Sequence, residues 1–135
     1  MICVARLDAN KNQGLLIDIT RKLIKKHKNI HLLLVGPDQN NGIYQEEAKD
    51  ILKNVHFLGF RKDIAKLLKI SDLALSSSIR EGLPVNIMEA MVIGLPIVAT
   101  NARGNRDLVK NHINGYIVDF FDVDKFTDCI EKIYK

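Results

Sequence analysis

Ser76–Thr100 reads SSSIREGLPVNIMEAMVIGLPIVAT, and it sets out one folding unit in a single line. A polar serine run leads to a Glu-Gly-Leu-Pro turn, then an apolar segment, a second Gly-Leu-Pro turn and the apolar run Ile97–Ala99. The run before it, Leu73–Leu75, is also apolar, so the whole reads strand, turn, helix, turn, strand. Glycine and proline punctuate the unit at both ends of its helix.

The same alternation extends in both directions. Upstream, strand-like runs lie at Ile2–Ala5, Ile30–Val35 and Val55–Leu58. Between them fall helical patterns: Leu15, Leu16, Ile19, Leu23 and Ile24 at spacings of three and four, ending near Asn29, then Ile43–Leu52, then Asp63–Ile70. Downstream come a short helix over Asn105–Lys110, a strand at Tyr116–Val118, and a last helix with Asp122 as its N-cap and Phe126, Ile130, Ile133 and Tyr134 as its apolar stripe. Six strands alternating with helices predict an α/β fold, a Rossmann-like doubly wound parallel sheet with right-handed crossovers. The apolar run Leu32–Val35 of the second strand fits burial on both faces.

Composition agrees with one domain. The chain has 135 residues, of which 47% are hydrophobic and 27% charged. That excludes a disordered chain, and no apolar run reaches the ~20 residues of a membrane span. A strand-like run follows Met1 at once, so no secretory signal is expected. Cys3 and Cys129 lie in apolar patterns and read as small buried side chains, which with the missing disulfide framework predicts a cytoplasmic protein. Twenty basic against 16 acidic residues make the chain mildly basic. Arg21, Lys22, Lys25, Lys26 and Lys28 form a cluster whose plain reading is a solvated helix face. Its functional reading is attraction to an anionic membrane surface, as a peripheral contact, or to an anionic ligand. With no Trp and no nucleic-acid motif, nucleic acid is not an expected partner.

In open parallel sheets ligands sit beyond the carboxyl ends of the strands, where strand order reverses. In the order 3-2-1-4-5-6 that point lies between the first and fourth strands. Arg6 and Lys11 follow the first; Ser76–Ser78, Glu81 and Gly82-Leu83-Pro84 follow the fourth. Two cations opposite a glycine turn and a helix start suit a diphosphate. Pro84 fits the first helical position, leaving the amides around Gly82 and Leu83 free to face an anion. The helix after it is apolar on nearly all sides, which predicts burial. Glu89, the carboxylate on that helix, then needs donors, and ribose hydroxyls or a scaffold cation would supply them. Glu81, in the loop, is either solvated or in contact with a sugar.

These segments resemble the donor-binding domain, the C-terminal half, of retaining GT-B glycosyltransferases (glycosyltransferase family 4, glycosyl transferases group 1). The resemblance spans Ala5–Gly14, Leu32–Gly36, Val55–Ile64, Arg80–Met91, Gly94–Thr100 and Asn114–Val118. It implies that Arg6 and Lys11 bind the donor diphosphate and stabilise the leaving group. It implies that Phe60 and Arg61 contact the base, and that Glu81 with the Gly82 and Leu83 amides holds the sugar. Glu89 would bind ribose. The implied reaction moves a sugar from a nucleotide-diphosphate sugar with retained configuration, without cofactor or metal. It also implies an acceptor-binding N-terminal domain that this sequence lacks, supplied in the same chain or by a partner, so the isolated chain is expected to bind donor weakly, if at all, and not to turn over.

The sequence departs from that family's pattern at Ala5, where glycine is common, and over Asn101–Asp107, which is unusually basic. Solvation is the plain reading of Arg103 and Arg106; contact with donor or acceptor is the functional one. Two other classes compete. A non-catalytic nucleotide-binding module would share the fold. A response-regulator receiver would need an acidic pair after the first strand, where Arg6 stands, and an aspartate after the third, where Gly59-Phe60-Arg61 stands. No G-x-G-x-x-G follows the first strand, which removes a dinucleotide site.

Overall fold

The computed structural model describes residues 1–135. Six strands, β1 (Ile2–Val4), β2 (Leu32–Val35), β3 (Val55–Gly59), β4 (Ala74–Ser76), β5 (Ile97–Thr100) and β6 (Gly115–Val118), form one sheet in the order β3-β2-β1-β4-β5-β6. Every pairing is parallel. The sheet is the doubly wound one the sequence predicts, and its order reverses between β1 and β4.

Period-2 alternation sorts the strand residues onto two faces. Cys3, Leu32, Leu34, Leu75 and Val98 join one core with α1 (Gln13–Leu23), α2 (Ile43–Glu47) and α6 (Val123–Tyr134). Ile2, Val35, Ala74, Ile97 and Ala99 join the other with α3 (Ile64–Lys69), α4 (Val85–Ile93) and the end of α5 (Arg103–Leu108). Leu16, Ile19, Leu23 and Phe126 are fully buried between α1 and α6. Each such side chain contributes about 2 kcal/mol by leaving water. Cys3 and Cys129 are buried and free, and burial pushes the Cys3 thiol up to about 12.

Element ends differ from the sequence pattern by local chemistry. The first helix starts at Gln13, two residues before its apolar stripe, because Asn12 takes a left-handed turn (φ 53°) that asparagine tolerates. It gives out at Leu23, well before Asn29. The predicted helix over Ile43–Leu52 is α2 followed by a 3₁₀ turn at Lys49–Ile51. The fifth helix begins at Arg103 rather than Asn105. Asp122 caps α6 as expected, its carboxylate accepting from Lys125 N at 2.9 Å.

Two expectations about α4 are corrected. Pro84 is the cap residue (φ −79°, ψ 87°) rather than the first helical one, and its carbonyl accepts from Ile87 N and Met88 N. The helix is also not buried all round. Ile87 and Ala90 face the sheet, while Val85, Met88, Glu89, Met91 and Val92 are exposed. A helix lying on one sheet face, with α3 and α5 beside it, can cover only one stripe whatever its composition. Gly94 ends it in the left-handed region (φ 85°), with Leu95 N bonded to Ala90 O at 3.1 Å.

Only Arg21 and Lys22 of the basic cluster lie on α1, since the helix ends at Leu23, and three of the five cations pair within the fold. Arg21 clasps Asp50 and Asp18, Lys22 pairs with Asp124, and Lys26 lies 3.5 Å from Glu131. Lys25 and Lys28 are exposed without a carboxylate partner. No helix is long and apolar enough to cross a membrane.

Candidate functional site

The site is built by two loops that leave adjacent strands. After β1 the chain turns tightly over Asp8–Asn12. Asp8 holds this turn, its carboxylate accepting from Lys11 N at 2.8 Å and its carbonyl from Asn12 N at 3.0 Å. Gln13 is fully buried beneath it and donates to Arg6 O at 2.7 Å; Tyr44 OH donates to Asp8 O at 3.0 Å. The backbone of this loop is therefore pinned from below. The Arg6 side chain is exposed, with Asp8 3.5 Å away.

After β4 the serine run goes inward. Ser76, Ser77 and Ser78 are all buried. Each hydroxyl has a partner, as buried polar groups require: Ser77 Oγ donates to Lys11 O at 2.7 Å, Ser78 Oγ to Glu81 Oε1 at 2.7 Å, and Ser76 Oγ receives Asn105 Nδ2 at 3.3 Å. Asn10 stitches the two loops together. Its carbonyl accepts from Ile79 N, and its side chain both accepts from Arg80 N and donates to Arg80 O, each at 3.1 Å. The stitched loops bring Lys11 Nζ onto Glu81 Oε1 as an ion pair, with the two side chains 18% and 8% exposed. Glu81 is thus neither a solvated loop acid nor a free one.

A third loop, after β5, closes the arrangement. Thr100 Oγ1 donates to Ser78 O at 2.6 Å, and the buried Asn105 donates to Thr100 O at 3.1 Å. Gly104 N donates to Glu81 O at 3.0 Å, and Gly104 packs so tightly there that a Cβ would lie 2.3 Å from Gly82 O. The glycine is needed for close approach. Asn86, on α4, donates to Val4 O at 3.0 Å and fastens that helix to the end of β1. The N–H groups of Gly82 and Leu83 donate to nothing within the protein. With α4 starting just beyond them, they present unsatisfied donors and a positive helix end to the cleft mouth.

The open cleft above these loops has a volume of about 620 Å³, with Lys11, Glu81 and Gly82 on one wall and Asn101, Arg103 and Arg106 on the other. A more apolar cavity of about 490 Å³ lies at the opposite edge of the sheet, by Ile30, Leu73 and Ile133. It has no chemistry-bearing cluster, and we place the functional site in the first.

Of the residues singled out in the sequence, Lys11, Glu81 and Gly82 line the cleft, Leu83 and Pro84 continue the turn from Gly82, and the exposed Arg6 side chain lies outside the lining, near Asp8. Phe60 and Arg61 follow β3, three strands from β4. Phe60 is 70% exposed, and Arg61 forks onto Asp63 at 2.7 and 2.9 Å, holding that carboxyl below its usual range. Glu89 is exposed on α4 without a partner, so burial does not demand a ligand for it. Sequence reading missed Asn10, Ser77, Ser78, Gly104 and Asn105 as the frame of the site. Their only signal was polarity between apolar runs. No cluster of three or more His, Cys, Asp or Glu side chains is placed to hold a metal ion.

Known proteins resemble this chain in sequence and fold. The family model described as "Glycosyl transferases group 1" matches residues 1–135. The putative glycosyltransferase EpsD of Bacillus subtilis is 34% identical over 99% of the chain, which covers 36% of that protein. An Escherichia coli UDP-Gal:alpha-D-GlcNAc-diphosphoundecaprenol alpha-1,3-galactosyltransferase is 37% identical over 67% of the chain and 23% of its own length. The chain therefore spans about a third or less of these relatives. Among solved structures, Anabaena HepE in complex with UDP and glucose superposes with a TM-score of 0.81 at 30% identity, covering 98% of this chain and 39% of HepE. TarM of Staphylococcus aureus superposes with a TM-score of 0.92 at 23% identity, covering 99% of this chain and 28% of TarM, a likeness of fold. The chain belongs to the glycosyl transferases group 1 family, and its six-stranded parallel sheet is an α/β, Rossmann-like fold that matches GT-B glycosyltransferase structures.

Proposed function

We propose that this chain is the donor-binding domain of a retaining glycosyltransferase that moves a sugar from a nucleotide-diphosphate sugar to a glycan or lipid-linked acceptor, in polysaccharide or glycolipid synthesis. The observation that carries this reading is one cleft lined by the Lys11–Glu81 ion pair and by Gly82, whose N–H, like that of Leu83, has no acceptor within the protein. The diphosphate lies over β1 and the start of α4, between Arg6, Lys11 and the helix end. Glu81, already oriented by Lys11 and Ser78, accepts from sugar hydroxyls. Glu89 is one turn further along α4 and takes the ribose; Phe60 and the backbone beside Arg61 flank the base. Uridine is the favoured base, since HepE is solved with UDP and the E. coli relative is named for UDP-Gal.

Charge grows on the departing diphosphate as the glycosidic bond breaks. Fixed cations and a helix end aimed at that oxygen lower the barrier without reorganising. Arg6 and Lys11 supply the cations, so no metal is required. Lys11 is shared between Glu81 and phosphate, which couples the sugar contact to the leaving group. The acceptor half closes on the exposed Phe60, Leu83 and Phe120, in the same polypeptide or from a partner, and this chain alone binds donor without turnover. The location is cytoplasmic, with Lys25 and Lys28 free to meet anionic lipid at the membrane face.

Calorimetry with UDP and with uridine tests the reading. UDP is expected to bind far more tightly than uridine, and Arg6→Ala to remove most of that difference. Glu89→Gln is expected to weaken both ligands equally. Equal affinities for UDP and uridine in the unmodified chain would refute the diphosphate site.

A further inference from the structure

The donor reading uses one wall of the cleft and leaves the other unexplained. That wall carries Arg103 and Arg106 on α5, with Arg80 at the rim. All three side chains are exposed and none pairs with a carboxylate. Three residues apart, Arg103 and Arg106 project from one side of their helix. Arg106 Nη1 donates to Asn101 O at 3.3 Å, and both residues line the cleft. Arg80 has its backbone clasped on both sides by Asn10, so its side chain starts from a fixed point. The lining has four cations against the single carboxylate of Glu81, and Lys11 already neutralises that one. Three guanidiniums facing one cleft repel one another until an anion arrives.

The place of this wall follows from the sheet order. Along the carboxyl edge, β3 carries Phe60 and Arg61, β1 carries Arg6 and Lys11, β4 carries Arg80 and Glu81, and β5 leads to Arg103 and Arg106 on α5. Base, diphosphate and sugar therefore succeed one another, with Arg80 beside the sugar position and the α5 arginines beyond it. The strand that leads to Arg103 and Arg106 lies two strand spacings, about 10 Å, from β1. The planar fork of arginine fits a phosphate or carboxylate.

We propose that Arg80, Arg103 and Arg106 form an oxyanion subsite beyond the transferred sugar, so that the group handled there is acidic. The proposal rests on the donor reading above. The oxyanion is either a phosphate of the acceptor or a carboxylate of the sugar itself.

The test titrates inorganic phosphate into the chain saturated with UDP, which occupies Arg6 and Lys11. Phosphate is expected to bind, and Arg103→Gln with Arg106→Gln to weaken it about tenfold through lost charge-assisted hydrogen bonds, with UDP affinity unchanged. The paired Arg→Lys variants should keep part of the binding. No phosphate binding to the UDP-saturated chain would overturn the proposal, as would a Gln pair without effect or one that costs UDP as much as phosphate. Should UDP itself not bind, the donor reading falls. Phosphate is then titrated into the ligand-free chain, and the same pair of variants decides the subsite. Two probes separate the sources. UDP-glucuronate binding more tightly than UDP-glucose, with the advantage lost in the Gln pair, places the oxyanion on the sugar. Farnesyl phosphate binding the UDP-saturated chain with the same sensitivity places it on the acceptor. Failure of both probes would overturn the substrate assignment.

Discussion

Lys11 and Glu81 stand 70 residues apart in the chain and meet as an ion pair at the floor of the cleft, with Ser78 as the second partner of the carboxylate. Neither would be held there by its own loop. Asn10 and Ser77 lock the two loops in register, and the pair follows from that lock.

Lys11→Met should leave the Glu81 carboxylate with Ser78 alone. Breaking a fully buried pair costs about 3–5 kcal/mol; with Lys11 partly exposed, about 2 kcal/mol is expected. Urea unfolding measures it. The double variant Lys11→Met with Glu81→Leu should recover much of the loss, because no unpaired charge stays behind. A single variant as stable as the original chain would show that the pair contributes nothing.

Gly104→Ala should distort the cleft floor. The added methyl would sit 2.3 Å from Gly82 O and 2.9 Å from Pro84 Cδ, too close for either to stay. Overpacking of this kind costs about 1–3 kcal/mol. It should also weaken UDP more than an exposed substitution on the same helix, Asp107→Asn, because it moves the loop that carries the Gly82 amide. Equal melting temperatures and UDP affinities for the two variants would contradict this packing.

The pair of imidazoles at the far edge of the sheet gives a pH dependence. His31 Nδ1 and His56 Nε2 lie 2.9 Å apart, on β2's approach and on β3. Burial, and then the neighbouring His31, lowers the His56 pKa from its ordinary 6.5. The folded chain therefore takes up that proton less readily than the unfolded one. Stability from this site is full above pH ~6.5 and is lost as pH falls from there through the depressed folded value. Denaturation midpoints should fall between pH 7.5 and 5.5, and His56→Gln should flatten that slope. An unchanged slope in His56→Gln would assign the effect elsewhere.

Much of this molecule is legible without coordinates because its rules are local. Apolar runs separated by glycine and proline turns specify strands and helices, and their alternation limits the sheet to a doubly wound order. Asp122 caps the last helix by a contact three residues long. The positions of Arg6, Lys11 and Glu81 in the fold were legible too, since they follow the two strands that flank the switch point.

Tertiary structure decided what depends on register and coverage. Residue types place Lys11 and Glu81 near one ligand, but only the stitched loops make them partners. The hydrophobicity of α4 measures how much surface would gain by burial, not how much the neighbouring elements can reach, so Val85 and Val92 stand in solvent. Gly104 and Asn105 look like ordinary polar turn residues until the β5 loop is packed on Glu81. Arg103 and Arg106 look like solvated charge until the same packing turns them towards the cleft. The Glu-Gly-Leu-Pro turn was readable from Ser76–Thr100 alone, whereas its working surface is shared by three loops that meet only in the folded sheet.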